Sequence, residues 1–436
     1  MMSGWLNISL LSLQMSNKPW RSILVTIAVF FLAVISIVFC SSRIPAEQPK
    51  DRTLLGNEIF CQEEHPLPDK KRLGLVINST SLLPEGIPLI DALLEKEMNV
   101  TAIFAPEHGL AGKLAGGISV TDSRYRDIPV FSLYGKTKKP LPEQISLIDA
   151  FVYDIQDIGT RFYTYITTLK YVIESAASAG IPVYILDRPN PIGGNIIEGP
   201  CMRPEFESYI GAFPIPVRYG LTIGELAMMM KGEGWVPASA DLHVVPVKNW
   251  KRDMFWEETG LSWISPSPNI PSSQASLLFP GIALLGEVGI NGGVGTENPF
   301  LQFGAPWLNT EKLLESLLEE DLQGIELKII EYAPQPIPGK ILKLKYQEQT
   351  CRGIRINITE PNAFRSLRFS LLVLTFVIKH QPDWLSLSQG SMNRLFGSDH
   401  LSQYVKREIS IEELMTIMER DENAFRKSRQ PYLLYD

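Results

Sequence analysis

Three places in this chain put acidic, amide and basic side chains directly behind short apolar runs, where they can do acid–base chemistry. The first is Pro106-Glu107-His108-Gly109, which follows the run Thr101–Ala105. A carboxyl group at the mouth of a buried strand lies half in apolar surroundings. Its charged form is disfavoured there, and a general acid must hold its proton in this way. Gly109 lets the backbone turn away sharply. The competing reading makes Glu107 a cap for the following segment and His108 a polar turn residue.

The second place is Asp154-Ile155-Gln156-Asp157, continued by Gly159-Thr160-Arg161-Phe162-Tyr163-Thr164-Tyr165. Two carboxylates three apart can share one cleft, with Arg161 near enough to hold one of them ionised. Phe162, Tyr163 and Tyr165 offer flat faces with hydroxyl handles, which suit a sugar ring. The plainer account is an aspartate capping a helix, with the aromatics in the core. The third place is Asp187-Arg188-Pro189-Asn190, followed by Gly193, Gly194 and Glu198. Proline and glycine fix the loop shape, and the polar side chains can make directed hydrogen bonds. An Asp–Arg pair that only holds the turn is the alternative.

These segments need a sheet to bring them together. Strand-length apolar runs occur at Leu73–Asn78, Thr101–Ala105, Val130–Tyr134, Ala150–Asp154 and Val183–Asp187. Helix-length stretches lie between them at Pro88–Met98, Gln144–Ile148 and Thr167–Ala179. Continuously apolar strands separated by helices predict a parallel sheet covered on both faces, a Rossmann-like α/β domain. Such sheets place ligands beyond the carboxyl ends of their strands. Leu242–Val247 adds a strand, and Phe279–Phe303 reads as a glycine-rich loop. Glu326–Glu331 and Gly353–Thr359 read as strands, and Phe364–His380 and Ile411–Ser428 as helices, giving a second, smaller α/β or α+β unit. The expected division is an anchor and tether over 1–50, the Rossmann-like catalytic domain over 51–265, and an auxiliary domain closing the cleft over 266–436.

Composition narrows the chemistry. The 436 residues carry 41 Lys+Arg against 48 Asp+Glu, a balance that argues against a broad phosphate-binding face and so against nucleic acid. Cys40, Cys61, Cys201 and Cys351 stand far apart with no CxxC, which removes zinc ribbons and disulfide scaffolds. No GxxxxGK[ST], HExxH or GxSxG occurs, and no GxGxxG follows the first strand. No cofactor or metal is therefore expected. Ser22–Ser42 lacks any charge, and its run Ile23–Cys40 makes a helix of roughly 27 Å, enough to span a bilayer core. Lys18 and Arg21 precede it, as in exported segments. The expectation is an exported, extracytoplasmic or periplasmic protein held at a membrane by this helix or by lipid on Cys40, with Ser41–Arg72 as a polar tether.

Several longer strings then stand in a recognisable order. They are PEHG at 106–109, SLYGKT at 132–137, DIQDIGTRFYTY at 154–165, LDRPNPIGG at 186–194 and EGP at 198–200. FPIPVRYGLTIGELA at 213–227, GEGW at 232–235, SPNIP at 267–271 and GAPW at 304–307 follow. Together they resemble the NamZ-type exo-β-N-acetylmuramidases of bacteria, from about Leu73 to the closing YLLY. The resemblance implies a Rossmann-like domain with an auxiliary domain, a cleft between them, and release of N-acetylmuramic acid or a related amino sugar from the non-reducing end of peptidoglycan fragments. The family's catalytic acid falls on Glu107. Asp154 or Asp157 then serves as base or nucleophile, or orients the substrate's acetamide. His108, Arg161, Tyr163, Tyr165, Asp187, Arg188, Asn190, Glu198, Arg218 and Asn269 are the candidates for holding the sugar. Where the family carries a GRGTT-like string, this chain has Val294 for the arginine and Glu297 for the second threonine. Leu110-Ala111-Gly112 also lacks the basic residue often found after PEHG. An envelope protein that binds muropeptides without cleaving them is the alternative.

Overall fold

The computed structural model describes residues 52–62, 71–114, 116–337 and 344–436. The apolar run Ile23–Cys40 lies outside the described residues, and among these no helix is long and apolar enough to cross a membrane.

The first half is built on strands β1 (Leu73–Ile77), β2 (Val100–Ala105), β3 (Ser123–Tyr125), β4 (Ile128–Ser132), β5 (Ala150–Asp154), β6 (Val183–Leu186) and β7 (Leu242–Val245). Their spatial order is β3-β4-β2-β1-β5-β6-β7, all parallel except the edge strand β3. Every residue of β1 and β5 is buried because helices cover both faces, which is why these strands read as unbroken apolar runs. Helices α1 (Gly56–Gln62) and α2 (Leu89–Glu95) pack Ile59, Phe60, Leu89 and Leu93 against Leu75, Ile103 and Val152. On the other face, α4 (Tyr165–Ala179) and α5 (Ile223–Gly232) pack Ile166, Leu169 and Leu226 against Val76, Phe104 and Tyr153, while α3 (Pro142–Ile145) leads into β5. From β1 the chain steps outward to β2 and β4. It then returns to β5 on the other side of β1. The carboxyl ends of β1 and β5 therefore flank a point where connections diverge, the usual place for a ligand crevice.

The second half carries a smaller antiparallel sheet, ordered β8-β10-β9, from β8 (Gln302–Ala305), β9 (Ile325–Tyr332) and β10 (Cys351–Ile358). Around it lie α6 (Ser273–Gly286), α7 (Thr310–Leu318), α8 (Ser366–His380), α9 (Gln389–Phe396), α10 (His400–Val405) and α11 (Ile411–Ser428). The Rossmann-like sheet with a smaller second domain is the expected architecture.

Two local expectations are corrected. Residues 52–62 are part of the globule and not of a tether. Leu54 bridges Lys248, and Gly56 donates its N–H to the Asp187 carbonyl at 2.9 Å. A Cβ at Gly56 would sit 2.4 Å from the Asp187 nitrogen, so only glycine permits this approach. Phe279–Phe303 is not one loop, because α6 continues through Pro280 to Gly286 and β8 begins at Gln302. Proline removes a helical N–H and crowds the preceding turn. Ser366 braces this stretch from outside: its hydroxyl donates to the Leu278 carbonyl at 2.9 Å and accepts from the Gly281 N–H at 3.0 Å.

Candidate active site

Glu107 stands two residues beyond β2 and is buried. Its Oε1 accepts the Gly117 N–H at 2.9 Å, and its Oε2 accepts the Thr164 hydroxyl at 2.8 Å. The backbone reverses just after it, with His108 at φ 70° and Gly109 at φ 73°. The exposed glycines 116 and 117 come back over the carboxyl group in this way. Tyr134, two residues past β4, has its hydroxyl near enough to Glu107 to feel its charge. Burial and the neighbouring carboxylate raise that phenol to about 12, so it keeps its proton. His108 donates from Nδ1 to the Leu114 carbonyl at 2.7 Å, and burial lowers its pKa.

Aromatic rings wall the glutamate. Tyr134 packs against Tyr209 with centroids 5.7 Å apart. His108 meets Tyr165 edge-on at 6.4 Å, and Tyr165 meets Tyr163 edge-on at 4.9 Å. The Tyr165 hydroxyl donates to the Pro266 carbonyl at 2.5 Å and lies beside the amide of Asn78, the residue directly behind β1. The Tyr163 hydroxyl lies beside Ser267. Asn269 is half-buried on the same turn, which the Ile270 N–H closes onto the Ser267 carbonyl. From the second domain, Phe279 packs on Phe162 at 5.3 Å and on Tyr163 at 6.0 Å. A carboxyl group between flat, hydroxyl-bearing faces can protonate an oxygen of a ring stacked there.

The aspartates behind β5 are placed differently. Asp154 is wholly buried, with Oδ1 on Arg188 Nε at 2.6 Å and Oδ2 on Asn57 Nδ2 at 3.0 Å. Asp157 accepts the Gly159 N–H at 2.6 Å and the Tyr219 hydroxyl on Oδ2, while its buried Oδ1 has no hydrogen-bond partner among the described residues. Burial pushes its carboxyl group up to about 7, against the pull of those donors. Arg161 does not serve these aspartates, contrary to the expectation. Fully buried, it donates to the carbonyls of Pro200 at 2.9 Å, Ile215 at 2.6 Å and Leu395 at 2.8 Å. It ties the sheet to the second domain.

Behind β6 the polar residues are spent on the fold. Asp187 accepts the Arg188 N–H at 2.9 Å, the Gly224 N–H at 2.8 Å, the Thr222 hydroxyl at 2.7 Å and the Tyr435 hydroxyl at 2.5 Å. Asn190 donates to the Leu221 carbonyl at 2.9 Å and accepts from the Ile192 N–H at 3.2 Å. Glu198 pairs with Arg218 at 3.1 Å and takes the Leu367 N–H at 3.1 Å, and Arg218 also donates to the Ile192 carbonyl. Burial lowers both Arg161 and Arg218 to about 10. In the glycine-rich segment, Val294 packs on the apolar core and Glu297 is exposed. Among the described residues no group of three or more His, Cys, Asp or Glu is placed to hold a metal ion.

The structure thus gathers Glu107, His108, Tyr163, Tyr165 and, at the edge, Asn269. It adds Asn78, Tyr134, Thr164 and Tyr209, which the strand-end reading did not single out. Asn78 closes the first apolar run and stands directly behind the observed strand β1, a place like that of Glu107. Tyr134 and Thr164 lie inside the strings SLYGKT and DIQDIGTRFYTY. Tyr209 has no local signal.

A parallel sheet with a glutamate set among tyrosines at its lip defines an α/β protein with an acid-bearing strand-end site, and comparison with known proteins gives it a chemistry. The family model for exo-beta-N-acetylmuramidase NamZ, N-terminal, matches residues 73–274, and its C-terminal counterpart matches 277–435. The chain belongs to this glycosidase family. It is 38% identical over 396 residues to the peptidoglycan beta-N-acetylmuramidase NamZ of Bacillus subtilis (strain 168), covering 89% of this chain and 92% of that one. It is also similar to two crystal structures of DUF1343 family proteins from Bacteroides fragilis NCTC 9343. One has a TM-score of 0.82 at 34% identity, covering 89% of this chain and 100% of that one. The other has a TM-score of 0.71 at 29% identity, covering 88% and 99%.

Proposed function

We propose that this protein is an exo-acting β-N-acetylmuramidase, releasing N-acetylmuramic acid from the non-reducing end of peptidoglycan fragments with Glu107 as the general acid. The observation that carries the reading is the Glu107 carboxyl group itself. It is buried, held by the Thr164 hydroxyl and the Gly117 N–H, and flanked by Tyr134 and the Tyr163–Tyr165 pair.

Glycoside cleavage needs a proton for the leaving oxygen and support for a cationic anomeric carbon. Protonated Glu107 delivers the first. We assign the second to Asp157, whose enclosed Oδ1 has no partner among the described residues while Asp154 has committed both of its oxygens. Azide rescue of Asp157→Ala marks direct attack by the aspartate; no rescue marks attack by the sugar's acetamide, which Asp157 then orients. Phe279, reaching in from the second domain, closes one end of the aromatic wall and supports exo action. The uncharged run ahead of the globule supports work outside the cytoplasm, which fractionation of cells tests.

The deciding experiment is incubation with a defined oligomer of alternating N-acetylglucosamine and N-acetylmuramic acid, terminating in the latter. Free N-acetylmuramic acid and a shortened oligomer are expected. Tight binding without any released sugar overturns the enzymatic reading in favour of a muropeptide-binding protein.

A further inference from the structure

N-acetylmuramic acid differs from N-acetylglucosamine by a lactyl ether that carries a carboxylate, so an enzyme that selects it needs a cation at the rim of its pocket. The two positions where a family cation is missing, Val294 and the segment after PEHG, raise the question of where that charge comes from. The rim beside Tyr134 answers it. Tyr209 sits inside a tight reversal in which Ser208 and Gly211 exchange backbone hydrogen bonds at 2.8 and 3.0 Å. Its hydroxyl is 3.3 Å from that of Thr168 on α4, so the ring is fixed at both ends. Lys138, four residues beyond Tyr134, holds its ammonium 4.1 Å from the Tyr209 ring centroid. Of the other lysines nearby, Lys139 pairs with Glu174 at 2.5 Å and Lys170 with Glu207 at 3.1 Å, while Lys113 and Lys136 are exposed without an ion pair but are steadied over no ring among the described residues. Lys138 makes no ion pair among the described residues, and its side chain is exposed.

We infer that Lys138, steadied over Tyr209, is the specificity-determining cation that receives the lactyl carboxylate of the sugar bound against Glu107. The inference rests on the muramidase reading above. A ring face steadies a cation without cancelling its charge, so the ammonium stays available to an anion. The chain of contacts from Glu107 through Tyr134 to Tyr209 puts the cation on the same wall as the acid, one ring further out.

The test uses the full chain, Lys138→Met and Lys138→Arg, with two aryl glycosides that differ only in the lactyl group, an aryl β-N-acetylmuraminide and an aryl β-N-acetylglucosaminide. For Lys138→Met, KM on the muraminide is expected to rise about fivefold, as for an exposed ion pair, with kcat unchanged. Lys138→Arg should restore most of that loss. Added salt should raise the wild-type KM toward that of Lys138→Met, because rim charges are screened. Any activity on the uncharged analogue should be equal in all three proteins. An unchanged KM for Lys138→Met on the muraminide overturns the inference and leaves the muramidase reading standing. No hydrolysis of the muraminide by the wild type overturns both. Matching thermal melts for the three proteins exclude misfolding as the cause.

Discussion

The ends of β2 and β6 lie on one lip of one sheet, and each presents a buried carboxylate, yet the donors around the two differ in kind. A carboxylate has about four acceptor sites. Asp187, behind β6, fills them with the Arg188 and Gly224 N–H groups and the Thr222 and Tyr435 hydroxyls. These donors belong to the start of α5 and to the chain's last residues, so the carboxylate fastens three segments together. Glu107, behind β2, takes its bonds from an exposed glycine-rich loop and a helix-start threonine, with the rim tyrosine Tyr134 nearby. It retains acceptor capacity toward the aromatic cleft. Position at a strand end therefore makes a carboxylate a candidate, and the inventory of its donors decides whether it works or only holds. Asp154 falls with Asp187, and Asp157 lies between the two types.

The sharpest way to break this comparison is to exchange the oxygens. Glu107→Gln keeps the shape and removes the proton. Turnover of an aryl N-acetylmuraminide should fall by about 10²–10⁴-fold, the range for a lost general acid, with the thermal midpoint nearly unchanged. Retained activity in a well-folded variant would remove Glu107 from the chemistry. The opposite signature is expected at Asp154. Asp154→Ala strands Arg188 in the interior and should cost about 3–5 kcal/mol in urea unfolding. A stable Asp154→Ala protein with a rate loss like that of Glu107→Gln would place Asp154 among the working carboxylates.

The contrast also marks where the sequence can be read. The placement of Glu107 behind a strand was legible because a strand end is a local property: apolar run, then carboxylate, then a glycine able to take φ 73°. The sheet was legible for the same reason, since fully covered strands have to be apolar throughout. Arg161 was misread because its partners are distant in sequence. The chain turns at Gly159, and Thr160 then bridges Arg218, which carries the guanidinium away from the aspartates to the carbonyls of Pro200, Ile215 and Leu395. The passage of α6 through Pro280 was hidden likewise, because the hydroxyl that braces the helix belongs to Ser366. Local chemistry shows in a short string; a partner supplied by a remote segment does not.

Asp157 offers a finer division, through pH. Its carboxyl group is raised to about 7 when folded, against about 3.9 in the unfolded chain. Between those values the native state holds more protons than the unfolded state. Stability contributed by this group is thus fully present at low pH and is lost as pH rises toward about 7. Asp157→Asn cannot titrate. Its thermal midpoint relative to wild type should therefore improve steadily from about pH 4 to about pH 7. A gap that stays constant over that range would show that Asp157 keeps its ordinary acidity, and would move it from the intermediate position to that of a solvated carboxylate.

The smallest expected effect tests whether the free side of Glu107 is tuned by its rim. Tyr134→Phe removes one hydroxyl and nothing else from the wall, leaving the ring contact with Tyr209 at 5.7 Å available. A single hydrogen bond contributes on the order of 1 kcal/mol, so kcat/KM should drop about fivefold, with little change in thermal midpoint. The loss should appear in kcat, because the hydroxyl orients the acid and does not grip the sugar. A rise in KM at constant kcat would instead make Tyr134 a sugar-binding residue. Glu107 would then be positioned by Thr164 and the Gly117 N–H alone, narrowing the difference from Asp187, whose donors all belong to the fold.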